Sequence, residues 1–167
     1  SGYVHLSGYQ PCPERTSLFS QTAEYALRAV VCLAQHADTS LTTQQIAEMT
    51  RVPPGYLSKV LQSLARAKLV ASQRGIGGGF TLLRPPDKIT ILDVLNIVDP
   101  LVRIKTCPLG LKSHGTKLCA LHRRIDEATA MLQEAFARTT IAELLEEPNQ
   151  SAPLCEVTVR RSERVAR

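Results

Sequence analysis

The sequence predicts a mainly α-helical fold with one small β-hairpin, and three observations support this prediction. First, 44% of the 167 residues are hydrophobic but only 4% are aromatic, and Trp is absent. A core built from Leu, Ile, Val and Ala suits packed helices better than an aromatic-rich β-sandwich. Second, apolar residues recur at helical spacing in several segments. Third, one glycine-rich run separates two short β-capable stretches.

Two helices are expected at the start of the ordered chain. Residues 20–37 form the first, because Ala23, Ala26, Leu27, Val30, Val31 and Ala34 make one apolar stripe. In the short second helix, Thr42 and Gln45 have the spacing of a capping box. The preceding residues 1–17 contain two prolines and a repeated Ser-Gly-Tyr, so we expect a flexible arm or a vector-derived remnant there.

A third helix and a hairpin complete a compact unit over residues 18–100. After the break at Pro53 and Pro54, residues 55–68 place Leu57, Val60, Leu61 and Leu64 on one face. Two short helices joined by a tight break form a helix-turn-helix pattern. Residues 70–74 and 80–84 then flank the glycine-rich residues 75–79, which predicts a hairpin with a glycine tip. A helix-turn-helix followed by such a hairpin is a winged helix.

The glycine tip also invites comparison with nucleotide-binding loops. A Walker loop ends in Gly-Lys-Ser/Thr, and a dinucleotide fingerprint opens a helix. The run here has no such ending and opens a strand. A nucleotide site is therefore not favoured.

The second half of the chain is expected to be helical with one loop. Thr90 and Asp93 cap a short helix that buries Ile91, Leu95 and Val98. Residues 101–117 form a loop, and residues 118–147 form a long helix followed by a short one capped by Thr139 or Thr140. The long helix presents Leu121, Ile125, Ala128, Leu132 and Ala135 on one side, and the simplest partner for this side is a second copy, so we expect a homodimer. Residues 148–167 are expected to be a flexible tail.

Cysteine number and hydropathy limit the compartment and the class of protein. No uncharged apolar run reaches the roughly 20 residues of a membrane helix, and residues 1–17 lack the apolar stretch of a secretory signal. We therefore expect a cytoplasmic protein. Five cysteines in a chain of this length do not make a dense disulfide framework. Metal binding, redox chemistry or burial is the expected role of Cys12, Cys32, Cys107, Cys119 and Cys155.

The positive charge is concentrated in one segment. The net charge is +5, yet residues 85–147 carry nine acidic and eight basic residues. Residues 51–84 contain no acidic residue and six basic ones, namely Arg51, Lys59, Arg66, Lys68, Arg74 and Arg84. Such a stretch is typical of a surface that binds a polyanion. A solvated face without a partner is the alternative.

Four stretches resemble the IscR/NsrR-type family of winged-helix transcription regulators. They are Glu24-Tyr25-Ala26-Leu27-Arg28-Ala29, Pro54-Gly55-Tyr56-Leu57-Ser58-Lys59, Arg74-Gly75-Ile76-Gly77-Gly78-Gly79-Phe80 and Ile91-Leu92-Asp93-Val94. The resemblance covers residues 18–147. It implies a dimeric repressor or activator of transcription. The two-fold symmetry of such a dimer predicts a double-stranded DNA operator that is an imperfect palindrome. The histidines, His5, His36, His114 and His122, lie in no catalytic signature, so no enzyme activity is expected.

The resemblance also implies which residues contact DNA. The helix that begins at Pro54 is expected in the major groove, with Gly55, Tyr56, Ser58 and Lys59 at its leading turn. Arg74, Gly77 and Gly78 are expected over the backbone or minor groove, and Thr43 at the start of the second helix. Ser58, Lys59 and Arg74 are the expected determinants of sequence preference. Tyr56 has an alternative interpretation as a core aromatic residue.

A cluster-binding loop is the further implication of the resemblance. The family's loop carries three cysteines spaced six apart and a His three residues after the last. Cys107 and Cys119 match the first and third cysteines and His122 matches the His, but Ser113 stands at the middle position. The resemblance adds Glu24 as a carboxylate ligand contributed by the partner subunit. We therefore expect residues 101–117 to help hold an iron–sulfur cluster of the [2Fe–2S] type.

Two alternatives to the cluster stay open. Zinc could bind Cys107, Cys119 and either His122 or His114 in a tetrahedral site. A cluster-free regulator that responds to thiol oxidation or a small ligand is the other. A third possibility, further from the resemblance, is a protein-interaction module that does not bind DNA.

Overall fold

In the computed structural model the described residues are 19–75, 77–110 and 117–147, so the expected arm, the tail, Ser113 and His114 lie outside them. The helices are α1 (Gln21–Gln35), α2 (Thr43–Thr50), α3 (Pro54–Arg66), α4 (Ile91–Val98), α5 (Ala120–Arg138) and α6 (Ile141–Glu146). The strands are β1 (Val70–Gln73) and β2 (Gly79–Leu82), and a 3-10 turn spans Pro86–Lys88. The predicted mainly helical fold with one hairpin is confirmed.

Helix α1 is the centre of the core and packs against α2, α3, α4, α6 and β2. Ser20 caps its start, because the Ser20 hydroxyl accepts a hydrogen bond from the Ala23 amide at 3.2 Å. The helix ends at Gln35, two residues before the predicted end, since His36 leaves helical geometry with φ −122°. Most of the predicted stripe is buried, with Leu27 half-buried, and Cys32 is a core residue.

Helices α2 and α3 form the predicted helix-turn-helix. The capping box of Thr42 and Gln45 is present at the start of α2. Arg51 ends α2 in the left-handed conformation at φ 55°, and the Val52 amide donates to the Ala47 carbonyl at 3.2 Å. Pro54 then occupies the first turn of α3, where a missing N–H costs nothing. The predicted inner face of α3 is buried: Leu57, Val60, Leu61 and Leu64.

The hairpin is attached to the helical body by a short backbone contact. Strands β1 and β2 are antiparallel, with Val70 opposite Leu82 and Gln73 opposite Gly79. The Leu41 amide donates to the Phe80 carbonyl at 3.1 Å, and the Phe80 amide donates to the Leu41 carbonyl at 2.7 Å. The chain between α1 and α2 therefore adds a third backbone segment to the hairpin. Both strands end before the predicted residues 74 and 84.

Helices α4 and α6 start side by side. Each begins with a capping box, Thr90 with Asp93 and Thr140 with Glu143. The Ile91 amide donates to the Thr139 carbonyl at 3.0 Å, and the Ile141 amide donates to the Ile89 carbonyl at 2.8 Å. Fully buried Ile141 thus joins the core beside α1. In α4, Val94 and Leu95 are buried, whereas Ile91 and Val98 are only half-buried, which corrects the predicted face.

Helix α5 is largely outside this core. It has 19 residues, begins after Cys119, and none of its residues is buried. It contacts α4, and Phe136 packs edge-on against Phe19 with ring centroids 5.4 Å apart. On the predicted apolar side of α5, Leu121, Ile125, Ala128 and Ala135 are exposed and Leu132 is half-buried, so most of this side has no cover within the single chain as described. Across the described residues, no helix combines the length and apolar character needed to span a membrane.

Gly79 supports a specific test of the hairpin attachment. A Cβ atom at Gly79 would lie 2.5 Å from the Leu41 carbonyl oxygen, a backbone atom that cannot move aside alone. We expect Gly79→Ala to lower the free energy of unfolding by about 1–3 kcal/mol, as in other overpacked sites. Urea denaturation measures this change.

Gly55→Ala is the matched control, because no atom lies within 4 Å of a Cβ built there. We expect this variant to be as stable as the original chain or slightly more stable. Equal stability of the two alanine variants would contradict the close approach at Gly79.

Candidate functional site

The leading turn of α3 is exposed and carries no negative charge. Gly55, Tyr56 and Lys59 are exposed, and Ser58 is half-buried. The first turn of α3 contains no acidic residue, so the partial positive charge of the helix N-terminus is not neutralised locally. This end of the helix is therefore suited to a negatively charged partner.

Tyr56 is held in place by α1. Its ring packs edge-on against Tyr25 with centroids 5.4 Å apart, and its hydroxyl is hydrogen-bonded to the Thr22 hydroxyl. The residue is nevertheless 38% exposed. Tyr56 thus combines the two interpretations of the sequence: it packs on an aromatic neighbour, and part of it faces solvent. Its contacts set the start of α3 against α1.

The side chains of Ser58 and Lys59 differ in whether their hydrogen-bond donors are already used within the protein. The Ser58 hydroxyl donates to the Pro54 carbonyl at 2.9 Å, so its proton is used inside α3 and its lone pairs stay available. Lys59 is exposed and forms no ion pair with any described residue. Thr43 lies half-buried in the first turn of α2.

The hairpin tip is a tight turn beside an exposed cation. Gly75 and Gly77 have φ of +100° and +79°, which glycine adopts without strain. The Gly78 amide donates to the Gly75 carbonyl at 2.9 Å, and a Cβ at Gly78 would lie 2.5 Å from the Gln73 carbonyl oxygen. Arg74 is exposed at the base of this turn. Because β1 packs on α3, the tip and the leading turn of α3 belong to one body.

The basic segment predicted from sequence is a surface feature in three dimensions. All six of its cations are exposed: Arg51, Lys59, Arg66, Lys68, Arg74 and Arg84. Among the described ion pairs, Arg84 is the member of this set that has a carboxylate partner, Asp93 at 3.6 Å. The other five cations leave the segment with unopposed positive charge.

A cysteine and a histidine meet at the start of α5. Cys119 is the N-terminal cap residue of α5 and His122 lies in the first turn, both half-buried. The Cys119 Sγ and His122 Nδ1 atoms are 3.2 Å apart. Two such ligands on one tetrahedral zinc ion would be about 3.5 Å apart, given the usual metal–ligand lengths. The pair therefore has the chemistry and spacing to share one ion.

The remaining predicted ligands are not gathered around this pair. Cys107 is half-buried in a turn closed by the Gly110 amide, which donates to the Cys107 carbonyl at 3.0 Å. Glu24 lies on α1 and pairs with Arg28, which also donates to the Thr50 carbonyl at 3.4 Å. No three His, Cys, Asp or Glu side chains converge in the part of the chain that the structure describes.

One interaction near this site has no counterpart in the sequence analysis. Arg103 donates two hydrogen bonds to Asp126, each 2.6 Å long, and the Ile104 amide donates to the same carboxylate at 2.8 Å. These bonds hold the pKa of Asp126 below its ordinary value and raise that of Arg103. A depressed carboxyl pKa means that the pair is intact at neutral pH and is lost as pH falls through the acidic range.

Cys32 is excluded from the site by its burial. It is 1% exposed, and burial raises the pKa of its thiol from 9.0 to about 11. Since the thiolate is the reactive form, this cysteine is inert in the folded protein.

We expect iodoacetamide at pH 8 to modify Cys107 and Cys119, both half-buried, well before Cys32. Cys32 should react only after unfolding in urea, and peptide mass spectrometry distinguishes the three sites. Because its folded pKa is raised, the contribution of Cys32 to stability is lost as pH rises from 9.0 towards 11. Early modification of Cys32 in the native protein would contradict this placement.

Comparison with known proteins identifies the family. The sequence model of the family described as "Rrf2: Iron-dependent Transcriptional regulator" matches residues 19–147. A "Putative HTH-type transcriptional regulator" of Aquifex aeolicus is 32% identical over 131 residues, which are 77% of this chain and 91% of that protein. A protein of the same description from Mycobacterium tuberculosis is 35% identical over 127 residues, 75% of this chain and 79% of its own length.

Solved structures agree on the fold. T. potens IscR matches with a TM-score of 0.66 at 22% identity, covering 80% of this chain and 90% of that one. CymR, the global cysteine regulator of B. subtilis, matches with a TM-score of 0.65 at 22% identity, covering 78% and 98%. The resemblance drawn from the four sequence stretches is confirmed, and the matched relatives are regulators rather than enzymes. This chain belongs to the Rrf2 family of transcriptional regulators.

Proposed function

We propose that this regulator binds an operator as a homodimer and that an iron–sulfur cluster or the redox state of its cysteines controls operator affinity. The unopposed positive surface formed by α3 and the hairpin is the observation that carries the DNA-binding part. The cysteine–histidine pair at the start of α5 supports the controlling part. The two parts rest on different residues and are tested separately.

DNA is the partner that fits the positive surface. An exposed helix with a basic leading turn fits the major groove, and its N-terminal residues then lie nearest the base edges. Lys59 is exposed and unpaired among described residues, so it can contact a phosphate or a guanine. Arg74 and the glycine tip, Gly77 and Gly78, would lie over the backbone or the adjacent minor groove. Thr43, Gly55, Tyr56 and Ser58 complete the proposed contact set.

Dimerisation is supported by the uncovered side of α5. Leu121 is 65% exposed and Ile125 45% exposed, so this side carries a substantial apolar surface. A second copy of the same helix would bury it by a self-complementary contact. Two-fold symmetry then places two α3 helices on half-sites about one or two helical turns apart, in an imperfect palindrome.

Cys119 and His122 are the best supported ligands of the proposed cluster. Thiolate and imidazole are both ligands that iron–sulfur clusters accept in proteins, and the 3.2 Å separation lets them meet one iron. Cys107 would supply the second thiolate, and Glu24 of the partner subunit a carboxylate. Glu24 must first leave Arg28, its present ion-pair partner. When bound, the cluster would supply a redox-active centre. Its loss would change the charge at the loop and release the residues that hold the cluster.

Zinc and thiol oxidation are the outcomes that compete with a cluster. Zinc uses the same Cys and His donors. The description of the family as iron-dependent favours iron.

We expect Lys59→Glu and Arg74→Glu each to weaken binding to an enriched operator duplex by about tenfold or more, and to reduce the salt dependence of binding. Fluorescence anisotropy at several salt concentrations measures both effects. Lys88→Glu is the control, since it makes the same charge change on the 3-10 turn, where Lys88 pairs with Asp87. Unchanged affinity in both test variants would favour an interaction module that does not bind DNA.

Anaerobic purification tests the metal part. We expect coloured protein with iron, and loss of colour and iron in the Cys107→Ala, Cys119→Ala double variant. Iron and zinc analysis beside visible absorbance distinguishes the two metals. Colourless, iron-free protein after reconstitution would contradict the cluster, and equal operator affinity with and without metal would remove metal sensing.

A further inference from the structure

Residues 101–104 lie along α5 as a strap. Near one end, the Gln133 amide group donates to the Leu101 carbonyl at 2.6 Å. Further along, the Asp126 carboxylate accepts from the Arg103 side chain and from the Ile104 amide. The strap therefore runs antiparallel to α5, from the level of Gln133 towards the start of the helix.

The spacing of these contacts fixes a register. From Gln133 to Asp126 the helix advances seven residues, or about 10.5 Å at its usual rise. From Leu101 to Ile104 the strap advances three residues, or about 10 Å in extended backbone. The two advances match as far as Ile104, and the chain then bends at Thr106. Three residues of chain reach at most about 11 Å, which is close to the rise of seven helical residues. Three residues after Ile104 stands Cys107, and seven residues before Asp126 stands Cys119.

We infer that Asp126 is a positioning residue for the cysteine site: by holding Arg103 and Ile104 on α5, it keeps Cys107 within reach of Cys119 and His122, so that the loop can bring the three side chains together around a metal. This inference rests on the proposed function of the cysteines. It concerns Asp126, Arg103 and Gln133, none of which is a proposed ligand.

The geometry of the pair suits a positioning role. Both Asp126 oxygens are engaged, one of them by the Arg103 Nε and the Ile104 amide together. Bidentate pairing fixes direction as well as distance, which a lysine cannot reproduce. The Asp126 side chain is 15% exposed, whereas Arg124 and Glu127 form an ordinary ion pair on the same helix with side chains 75% and 47% exposed. Exposed ion pairs such as that of Arg124 and Glu127 contribute little to the stability of a protein.

Three of the side chains concerned share one stripe of α5. His122, Asp126 and Gln133 are separated by four and seven residues, which places them on one face of the helix, and Cys119 is the cap residue before its first turn. The strap and His122 thus meet the same face.

Disulfide capture in metal-free protein tests this positioning directly. In a Cys12→Ser, Cys155→Ser background, diamide oxidises the two thiols of Cys107 and Cys119 to one disulfide and takes up the two electrons and two protons released. We expect rapid capture in the parent, and capture about tenfold slower in Asp126→Asn and Arg103→Lys, because the effective concentration of the thiols falls. Glu127→Gln, the matched control, should react like the parent.

Cobalt binding, followed by visible absorbance, gives a second readout. We expect Asp126→Asn to weaken Co²⁺ binding by about tenfold, because the effective concentration of the Cys107 thiolate at the Cys119–His122 pair falls. Thermal unfolding of each variant shows that it is folded. The charge-swapped Arg103→Asp, Asp126→Arg variant should recover part of the capture rate.

The outcomes separate this inference from the proposed function. Capture in folded Asp126→Asn at the parental rate overturns the positioning role, and so does failure of the parent to form the disulfide. If Cys107→Ser binds Co²⁺ as tightly as the parent, the proposed role of Cys107 in metal binding fails. The capture experiment then still decides whether Asp126 keeps Cys107 within reach of Cys119.

Discussion

Burial of α1 is the constraint on which the rest of the structure depends. This helix touches α2, α3, α4, α6 and the hairpin, and Ala23, Ala26 and Ala29 on its surface are fully buried. Small side chains at these positions let neighbouring backbones approach closely, while Val30 and Leu33 fill the spaces between helices. The exposed turn of α3 is positioned through the same helix, because Tyr56 rests on Tyr25 and bonds to Thr22. The residues proposed to contact DNA are thus positioned by the packing of the first turn of α3 against α1.

Local chemistry explains why so much of the fold was predictable. Thr42 and Thr90 each form a capping box with the residue three positions later, so the sequence alone marks where α2 and α4 begin. Pro53 and Pro54 enforce the break before α3, and the glycine tip defines the hairpin. Each of these features is encoded within a few residues, so it can be recognised without knowing the tertiary structure. The return of α6 to the core is different, since the contact of Thr139 with Ile91 joins residues far apart in the chain.

The candidate site likewise has a part that the local sequence predicts and a part that depends on contacts between distant residues. Exposed cations on α3 and at the hairpin follow from the local charge pattern, and the pairing of Cys119 with His122 follows from their spacing on one helical turn. Arg103 and Asp126 are 23 residues apart, and neither belongs to a pattern with a recognised function. Glu24 shows that a sequence resemblance can also name a residue whose side chain is already engaged. The resemblance implies that Glu24 is a ligand, but in the single chain its carboxylate forms an ion pair with Arg28. Competition between neighbouring partners cannot be seen in a linear sequence.

Helix α5 is anchored at one end and carries the cysteine pair at the other. Its C-terminal end continues into Thr139 and Thr140, whose backbone is tied to residues 89–91, while Cys119 precedes its first turn. Nineteen helical residues separate these points, or about 28 Å. A small tilt where α5 joins the core therefore becomes a much larger sideways displacement near Cys119, and a displacement near Cys119 tilts the helix where it joins the core. The helix has the mechanical form of a lever whose fulcrum lies in the DNA-binding core.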